Sequence, residues 1–162
     1  MFDVKLQELI VKNIEKSILL YIAKIEGLVN RTGQTAQVIA GPNEQQQQNI
    51  ALVNATFSIC QMLSAILFDQ REYFSESGKQ MIISTVDSCE QLMETILEPA
   101  FSAVVDAIEA IILTMHKEDF SIAEHYGKKP SLYMREMESF IRRVVQEHFH
   151  ALHAKVIIEL LT

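Results

Sequence analysis

The residues with the clearest potential for chemistry are a glutamate and three histidines near the end of the sequence. They lie in the stretch Glu147-His148-Phe149-His150-Ala151-Leu152-His153. On a helix, Glu147, His150 and His153 recur every three residues and could share one face, where imidazole and carboxylate groups could bind a transition metal. The spacing is not HExxH, and His148 points to another side of such a helix. The sequence therefore favours a solvent-exposed histidine cluster near a helix C-terminus and leaves Glu147, His150 and His153 as weak metal candidates.

The rest of the sequence offers little that could support catalysis. It contains no glycine-rich phosphate loop, no CxxC and no GxSxG. The two cysteines, Cys60 and Cys89, are too few and too far apart in sequence for a disulfide framework or a zinc site. Each lies in an apolar stretch, which predicts buried free thiols and a reducing compartment. We therefore expect no catalytic residue, no cofactor and no enzyme activity.

The elements that would position these residues are helices. Apolar residues recur every three or four positions along most of the chain, and only five Gly and three Pro interrupt the pattern. This pattern predicts helices over about 2–29, 42–69, 76–97, 100–117 and 131–160, with a kink or break at Pro99. Ser75 or Ser77 is expected to cap the third of these helices. The predicted core face of the first helix comprises Leu6, Leu9, Ile10, Ile14, Ile18, Ile22, Ile25 and Leu28.

Five long helices joined by short loops predict an all-α fold. We expect an elongated up-and-down bundle, or rod, within a single domain of residues 1–162. The chain has 162 residues with 14 Lys+Arg and 21 Asp+Glu, so its net charge is −7. This charge gives no reason to expect nucleic acid as a partner, because phosphate binding needs concentrated positive charge.

One predicted helix raises the question of a membrane span. From Ile50 to Phe68 the sequence contains no charged residue, and this length could cross a bilayer. Asn54, Ser58 and Gln61, however, recur along one side, where contact with lipid would be costly. We therefore expect this helix to pack among other helices, with membrane insertion as the alternative.

Three stretches carry a resemblance to a known family. They are QVIAGPNEQQQQNIALVN (37–54), DAIEAIILTMHKEDFS (106–121) and PSLYMREMESFIRRVVQEHF (130–149). Together they resemble the fifth subunit of the conserved oligomeric Golgi complex, a multisubunit vesicle tether. The last two stretches are the most specific, and the resemblance is weaker over 2–29 and fades after Phe149. Because subunits of that family are several times longer, the resemblance implies a segment from the C-terminal half of such a subunit.

The resemblance implies a function without catalysis. It suggests a structural and interaction segment of a Golgi tether that acts in retrograde intra-Golgi transport, peripheral on the cytosolic face of the membrane. The partners it implies are other subunits of that complex, notably the seventh, together with SNARE and Rab proteins. The alternative is a small helical metal-binding protein or enzyme that uses Glu147, His150 and His153.

Overall fold

The fold was analysed in a computed structural model, which describes residues 4–29, 44–117, 131–154 and 156. Within these residues there are four α-helices and no strand: α1 (Val4–Leu28), α2 (Glu44–Asp69), α3 (Glu76–Leu113) and α4 (Leu132–Val144). A short 3₁₀ segment follows α2 at Arg71–Tyr73 and another follows α3 at Thr114–Lys117, while a π-helical segment, Val145–Phe149, follows α4. The all-α prediction is confirmed. The loops expected over about 30–41 and 118–130 lie outside the described residues.

Of the kink or break expected at Pro99, the break is wrong, because α3 continues through the proline. The kink stays a prediction. Proline lacks an N–H, so the carbonyl of Thr95 loses its intrahelical donor at this point. Buried side chains lie on both sides of the proline, with Ile96 and Leu97 before it and Ala103 after it. Tertiary packing therefore holds both halves in helical conformation, and it outweighs the local cost of the proline. The two helices expected over 76–97 and 100–117 are one helix and its 3₁₀ end.

The last expected helix, over 131–160, is interrupted, and the described residues Ala154 and Val156 beyond the interruption are helical again. After α4 and the π-helical segment, the chain turns at residues 150–152. In a continuous helix the His153 N–H would donate to the carbonyl of Phe149. It donates instead to Oδ1 of Asn54 at 2.9 Å, while the Phe149 ring stacks on Phe101 at 5.1 Å. These tertiary contacts replace the hydrogen bonds of a longer helix.

The described residues divide into two compact units. Unit 1 contains residues 4–29, 48–97, 152–154 and 156, and unit 2 contains residues 44–47, 98–117 and 131–151. The boundary inside α3 falls between Leu97 and Glu98, next to Pro99. The expectation of one domain over 1–162 stays a prediction.

Unit 1 is built around a three-helix core. Its buried apolar side chains come from α1, α2, the first part of α3 and the chain after α4: Val11, Ile18, Ile25, Val53, Phe57, Cys60, Leu63, Ile82, Cys89, Leu92, Met93, Ile96, Leu97, Leu152 and Val156. The hydroxyls of Tyr21 and Thr56 join α1 to α2 at 3.1 Å. Of the core face predicted for α1, Leu6, Leu9, Ile10 and Leu28 are exposed.

The start of α3 settles which serine caps it. The Gly78 N–H donates to Oγ of Ser75 at 3.1 Å, while Ser77 is exposed. A side-chain oxygen that accepts the N–H three residues later satisfies one of the donors left free at a helix start. Ser75 is therefore the cap.

Helix α2 is less buried than the sequence suggested. Val53, Phe57 and Leu63 lie in the core of unit 1, but Met62 is 53% exposed and Phe68 is 83% exposed. Among the described helices, α2 is the one long and apolar enough to cross a membrane, by length and composition alone. Only 28% of its apolar 18-residue window is buried.

Among the described residues, the core of unit 2 is much smaller. Its buried apolar side chains are Ala103 on α3 and Phe140 and Val144 on α4. Partly buried side chains complete it: Val104, Ala107, Ile108, Ile111 and Phe149. The guanidinium of Arg143 lies 5.9 Å from the centre of the Phe140 ring, so this cation covers one edge of the core.

Candidate interaction surface

Helix α4 presents apolar side chains on two sides. Phe140 and Val144 face the core of unit 2. A second row follows at intervals of three and four residues, which places its members along one face of the helix. This row, which we call the α4 stripe, consists of Met134, Met137 and Ile141 on α4 and Val145 at the start of the π-helical segment. Met134, Ile141 and Val145 are exposed and Met137 is half-buried, so the stripe is an apolar helix face without cover in the described part of the chain.

Polar side chains border the α4 stripe. The guanidinium of Arg142 donates to Oε1 of Glu138 at 2.9 Å, and both side chains are exposed. Such an exposed pair one helical turn apart contributes only about 0.3–0.5 kcal/mol. The stripe with Glu138, Arg142 and Gln146 lines a shallow groove of about 530 Å³. Flexible thioethers beside aliphatic side chains can adapt to an apolar partner surface, so this groove fits the apolar face of another helix.

A second groove lies within unit 2, between the end of α3 and α4. It has a volume of about 580 Å³. Ala107, Ala110 and Ile111 line it from α3, and Leu132 and Phe140 line it from α4. Its remaining lining residues are polar or charged: Thr114, Arg135, Glu136, Ser139 and Arg143. Charges of both signs lie at the edge of this groove, as they do beside the α4 stripe.

Unit 1 has an apolar hollow of its own. Ile10 of α1 and Tyr73 and Phe74 after α2 line about 420 Å³, together with Gln7 and Gln70. Ile10 and Tyr73 are both exposed. Ile10, predicted as a core residue, therefore borders a surface hollow.

The metal candidates do not form a site among the described residues. Glu147 is exposed in the π-helical segment of unit 2, and His150 is exposed in the turn that follows. His153 belongs to unit 1, where its ring lies 4.9 Å from the Phe57 ring. The helix face that would have aligned the three side chains does not form, because α4 does not reach them. Within the described residues, no three His, Cys, Asp or Glu side chains could hold a metal ion. His148, from the same stretch, is buried.

Sequence reasoning missed a pair of thiols. Cys60 on α2 and Cys89 on α3 are both buried, as predicted, but they also share a hydrogen bond. This hydrogen bond to Cys89 is the main cause that raises the pKa of Cys60, and burial of the Cys60 thiol raises it further. The same hydrogen bond lowers the pKa of Cys89, because it stabilises the thiolate. Each cysteine lies in an apolar stretch of its own helix. This is the sequence feature that could have suggested that Cys60 and Cys89 share one core.

These observations define a class of protein: a helical segment with extensive exposed apolar surface and no candidate metal cluster within its described residues. No family model matches the chain, and no solved structure matches it. It is 39% identical over 151 residues to conserved oligomeric Golgi complex subunit 5 of mouse, a match that covers 91% of this chain and 18% of the relative. It is 29% identical over 129 residues to the subunit of the same name in Drosophila melanogaster, covering 77% of this chain and 17% of that relative.

The chain belongs to the family of conserved oligomeric Golgi complex subunit 5, as a segment of it. It spans less than a fifth of the length of the curated relatives it matches. The resemblance carried by residues 37–54, 106–121 and 130–149 is thereby confirmed.

Proposed function

We propose that this chain is a structural and interaction segment of a multisubunit Golgi vesicle-tethering complex that acts in intra-Golgi retrograde transport, without enzymatic activity. The observation that carries the proposal is the similarity to the mouse subunit, which extends over 91% of the chain. In this proposal the helices form part of an elongated helical rod of the longer subunit, a segment of its C-terminal half. The complex works peripherally, on the cytosolic face of the Golgi membrane.

The partners we propose are other subunits of the complex, the seventh foremost, together with SNARE and Rab proteins. The α4 stripe supports this proposal because it offers an apolar helix face to a second helix. The occupant we propose for the stripe is an apolar helix of a sister subunit. Association would bury Met134, Ile141 and Val145, which are all exposed in the described structure.

We propose peripheral attachment although α2 could span a membrane by length and composition. Val53 and Leu63 of α2 are almost completely buried in unit 1, and the Cys60 side chain of the same helix is buried as well. Insertion of α2 into a bilayer would have to open these contacts. Extraction of Golgi membranes with alkaline carbonate tests this point: release of the full-length subunit into the supernatant is expected, and retention with the lipid would favour insertion.

The partner proposal is tested by co-purification of the chain with each sister subunit. We expect a stable complex with at least one of them, the seventh first. Ile141→Glu should weaken it at least tenfold, because it places a charge in the middle of the apolar contact. The matched control is Ser139→Glu, an exposed position on the same helix that lines the groove between α3 and α4 instead.

Two outcomes would contradict the proposal. If no sister subunit binds the unmodified chain, this segment does not mediate assembly. If Ser139→Glu weakens binding and Ile141→Glu does not, the partner lies in the groove between α3 and α4 and not on the α4 stripe. Circular dichroism of both variants checks that the helices are retained.

A further inference from the structure

The groove between α3 and α4 lies within unit 2, and its charges are paired differently from those beside the α4 stripe. Beside the stripe, Arg142 is ion-paired with Glu138. In the groove, neither Arg135 nor Arg143 forms an ion pair with any described residue, and both side chains are exposed. The two guanidinium groups therefore have no counter-charge in the part of the chain that the structure describes.

The wall of the groove on α3 provides apolar contact without charge. Its lining residues, Ala107, Ala110, Ile111 and Thr114, follow each other at helical spacing along one face. No carboxylate among the described residues of this wall faces the arginines across the groove. The small alanine side chains leave room for another helix to approach closely. Charge complementarity therefore favours a ligand that carries both apolar side chains and negative charge.

We propose that this groove is a docking site for an amphipathic helix of a partner protein, with a carboxylate at each end of its apolar face. Arg135 and Arg143 are eight positions apart on α4, which corresponds to about 12 Å along the helix axis. Two glutamates about seven or eight residues apart on a helix alongside α4 span the same distance. Apolar side chains between these glutamates enter the groove, whose volume is about 580 Å³. Glu136 lies beside Arg135 and disfavours a further carboxylate between the two ends.

This surface is separate from the α4 stripe, and the inference does not depend on the contact proposed there with a sister subunit. Ser139 lines the groove, whereas Ile141 lines the stripe. The apolar floor lies between two helices, where a partner helix can reach it more readily than the surface of a bilayer can. A helix of a protein is therefore a better ligand for this groove than an anionic membrane.

A designed probe peptide tests the proposal with the chain alone. The probe is a fluorescently labelled helix with two glutamates about seven residues apart, leucines between them on the same face, and alanine and glutamine elsewhere. Fluorescence anisotropy should show saturable binding that weakens as salt is added, because salt screens exposed charge pairs.

Three arginine variants locate the binding site of the probe. Arg135→Gln and Arg143→Gln should each weaken binding about threefold, as expected for partly exposed ion pairs. Arg143 also lies 5.9 Å from the centre of the Phe140 ring, so Arg135→Gln is the variant that leaves this contact in place. The matched control is Arg142→Gln, because Arg142 is the neighbour of Arg143 but lines the stripe. It should leave binding of the probe unchanged.

Charge reversal gives the sharpest result. The double variant Arg135→Glu, Arg143→Glu should bind the glutamate peptide at least tenfold more weakly. It should instead prefer a peptide that is identical except for lysine at the two glutamate positions. Circular dichroism checks that the variant keeps its helices.

Four results would overturn the proposal. The first is an absence of saturable binding, and the second is equal affinity of the unmodified chain for the glutamate and lysine peptides. The third is loss of binding in Ile141→Glu but not in Arg143→Gln, which would place the probe on the α4 stripe. The fourth is tighter binding of phosphatidylserine vesicles than of the peptide, lost in the double variant, which would assign both arginines to a membrane. None of these results depends on co-purification with sister subunits, so the two proposals can fail separately.

Discussion

Units 1 and 2 use their apolar residues differently. Within the described residues, fifteen of the buried apolar side chains belong to unit 1 and three to unit 2. Unit 2 exposes seven large apolar side chains: Val105, Ile112, Leu113, Leu132, Met134, Ile141 and Val145. Unit 1 exposes ten, which is fewer than it buries. The described part of unit 2 thus shows more large apolar side chains to solvent than it packs inside.

This difference indicates that unit 1 is a packed scaffold and that unit 2 carries a surface for association. Scattered exposed leucines are normal on any protein, but an aligned apolar row marks an interaction face. The α4 stripe is such a row, whereas the core of unit 1 joins three helices with buried side chains and a hydroxyl pair between Tyr21 and Thr56. We infer that the packed core of unit 1 stabilises the segment and that the α4 stripe of unit 2 is the surface that binds a partner.

The largest expected effect is on the small core of unit 2. Phe140→Ala removes its largest buried side chain and should lower the free energy of unfolding by about 4 kcal/mol, through lost burial and a cavity. Hydrogen exchange of the α4 amides measures this loss. Ile141→Ala, one position along on the exposed stripe, is the control and should stay within about 0.5 kcal/mol. Equal effects at the two positions would remove the distinction between the two sides of α4.

A leucine pair tests the core of unit 1 in the same way. Leu63 is 1% exposed and Leu20 is 60% exposed. Leu63→Ala should cost about 3 kcal/mol in urea unfolding, while Leu20→Ala makes the same chemical change at the surface and should cost about 0.5 kcal/mol or less. A cost at Leu63 as small as that at Leu20 would mean that unit 1 lacks a packed core.

The cap of α3 has a smaller effect. Ser75→Ala removes the oxygen that accepts the Gly78 N–H and should lower stability by about 1 kcal/mol. Ser77→Ala, two residues later, removes an exposed hydroxyl and should change stability little. Thermal unfolding of both variants separates them. Reversed effects would assign the cap to Ser77.

The smallest effect concerns an exposed ion pair in the same turn. Lys79 lowers the pKa of Glu76 by a hydrogen bond and by its charge. A carboxyl whose pKa is lower in the folded chain stabilises it above the unfolded pKa, and this contribution is lost as the pH falls through the folded pKa. Lys79→Gln should return the pKa of Glu76 toward its ordinary value, as followed by carboxyl chemical shifts in an NMR titration. An unchanged pKa would show that the pair does not form in solution.

The periodicity of apolar residues was sufficient to predict helical structure but not to predict where each helix begins and ends. The sequence predicted the start of α3 from two serines followed by a helical pattern of apolar residues. The structure then identified Ser75 as the N-cap. Pro99 led to the wrong prediction of a helix break. The cost of a proline inside a helix can be read from the sequence, but the burial of Ile96 and Ala103 on either side of it cannot. The turn after the π-helical segment is stabilised by Asn54, which is 99 residues from its partner His153 and therefore cannot be found from a local sequence pattern.

The sites show the same limit. Glu147, His150 and His153 looked adjacent only on a continuous helix, and the chain turns between Glu147 and His153. Cys60 and Cys89 looked separate until α2 and α3 were packed together. The core face predicted for α1 was only partly right. Ile18 and Ile25 are buried as predicted, but Val11, which was not in that face, is buried as well, while Leu6 and Leu9 are exposed.

The most direct test of the association surface compares two methionines of similar exposure. Met134 lies on the α4 stripe at 44% exposed, and Met62 lies on α2 of unit 1 at 53% exposed. Their oxidation rates are measured by peptide mass spectrometry, in the chain alone and in the complex with its sister subunits. Burial of the α4 stripe predicts at least tenfold slower oxidation of Met134 in the complex, with Met62 unchanged. An unchanged rate at Met134, with protection of Met62 instead, would contradict the account and place the interaction surface on unit 1.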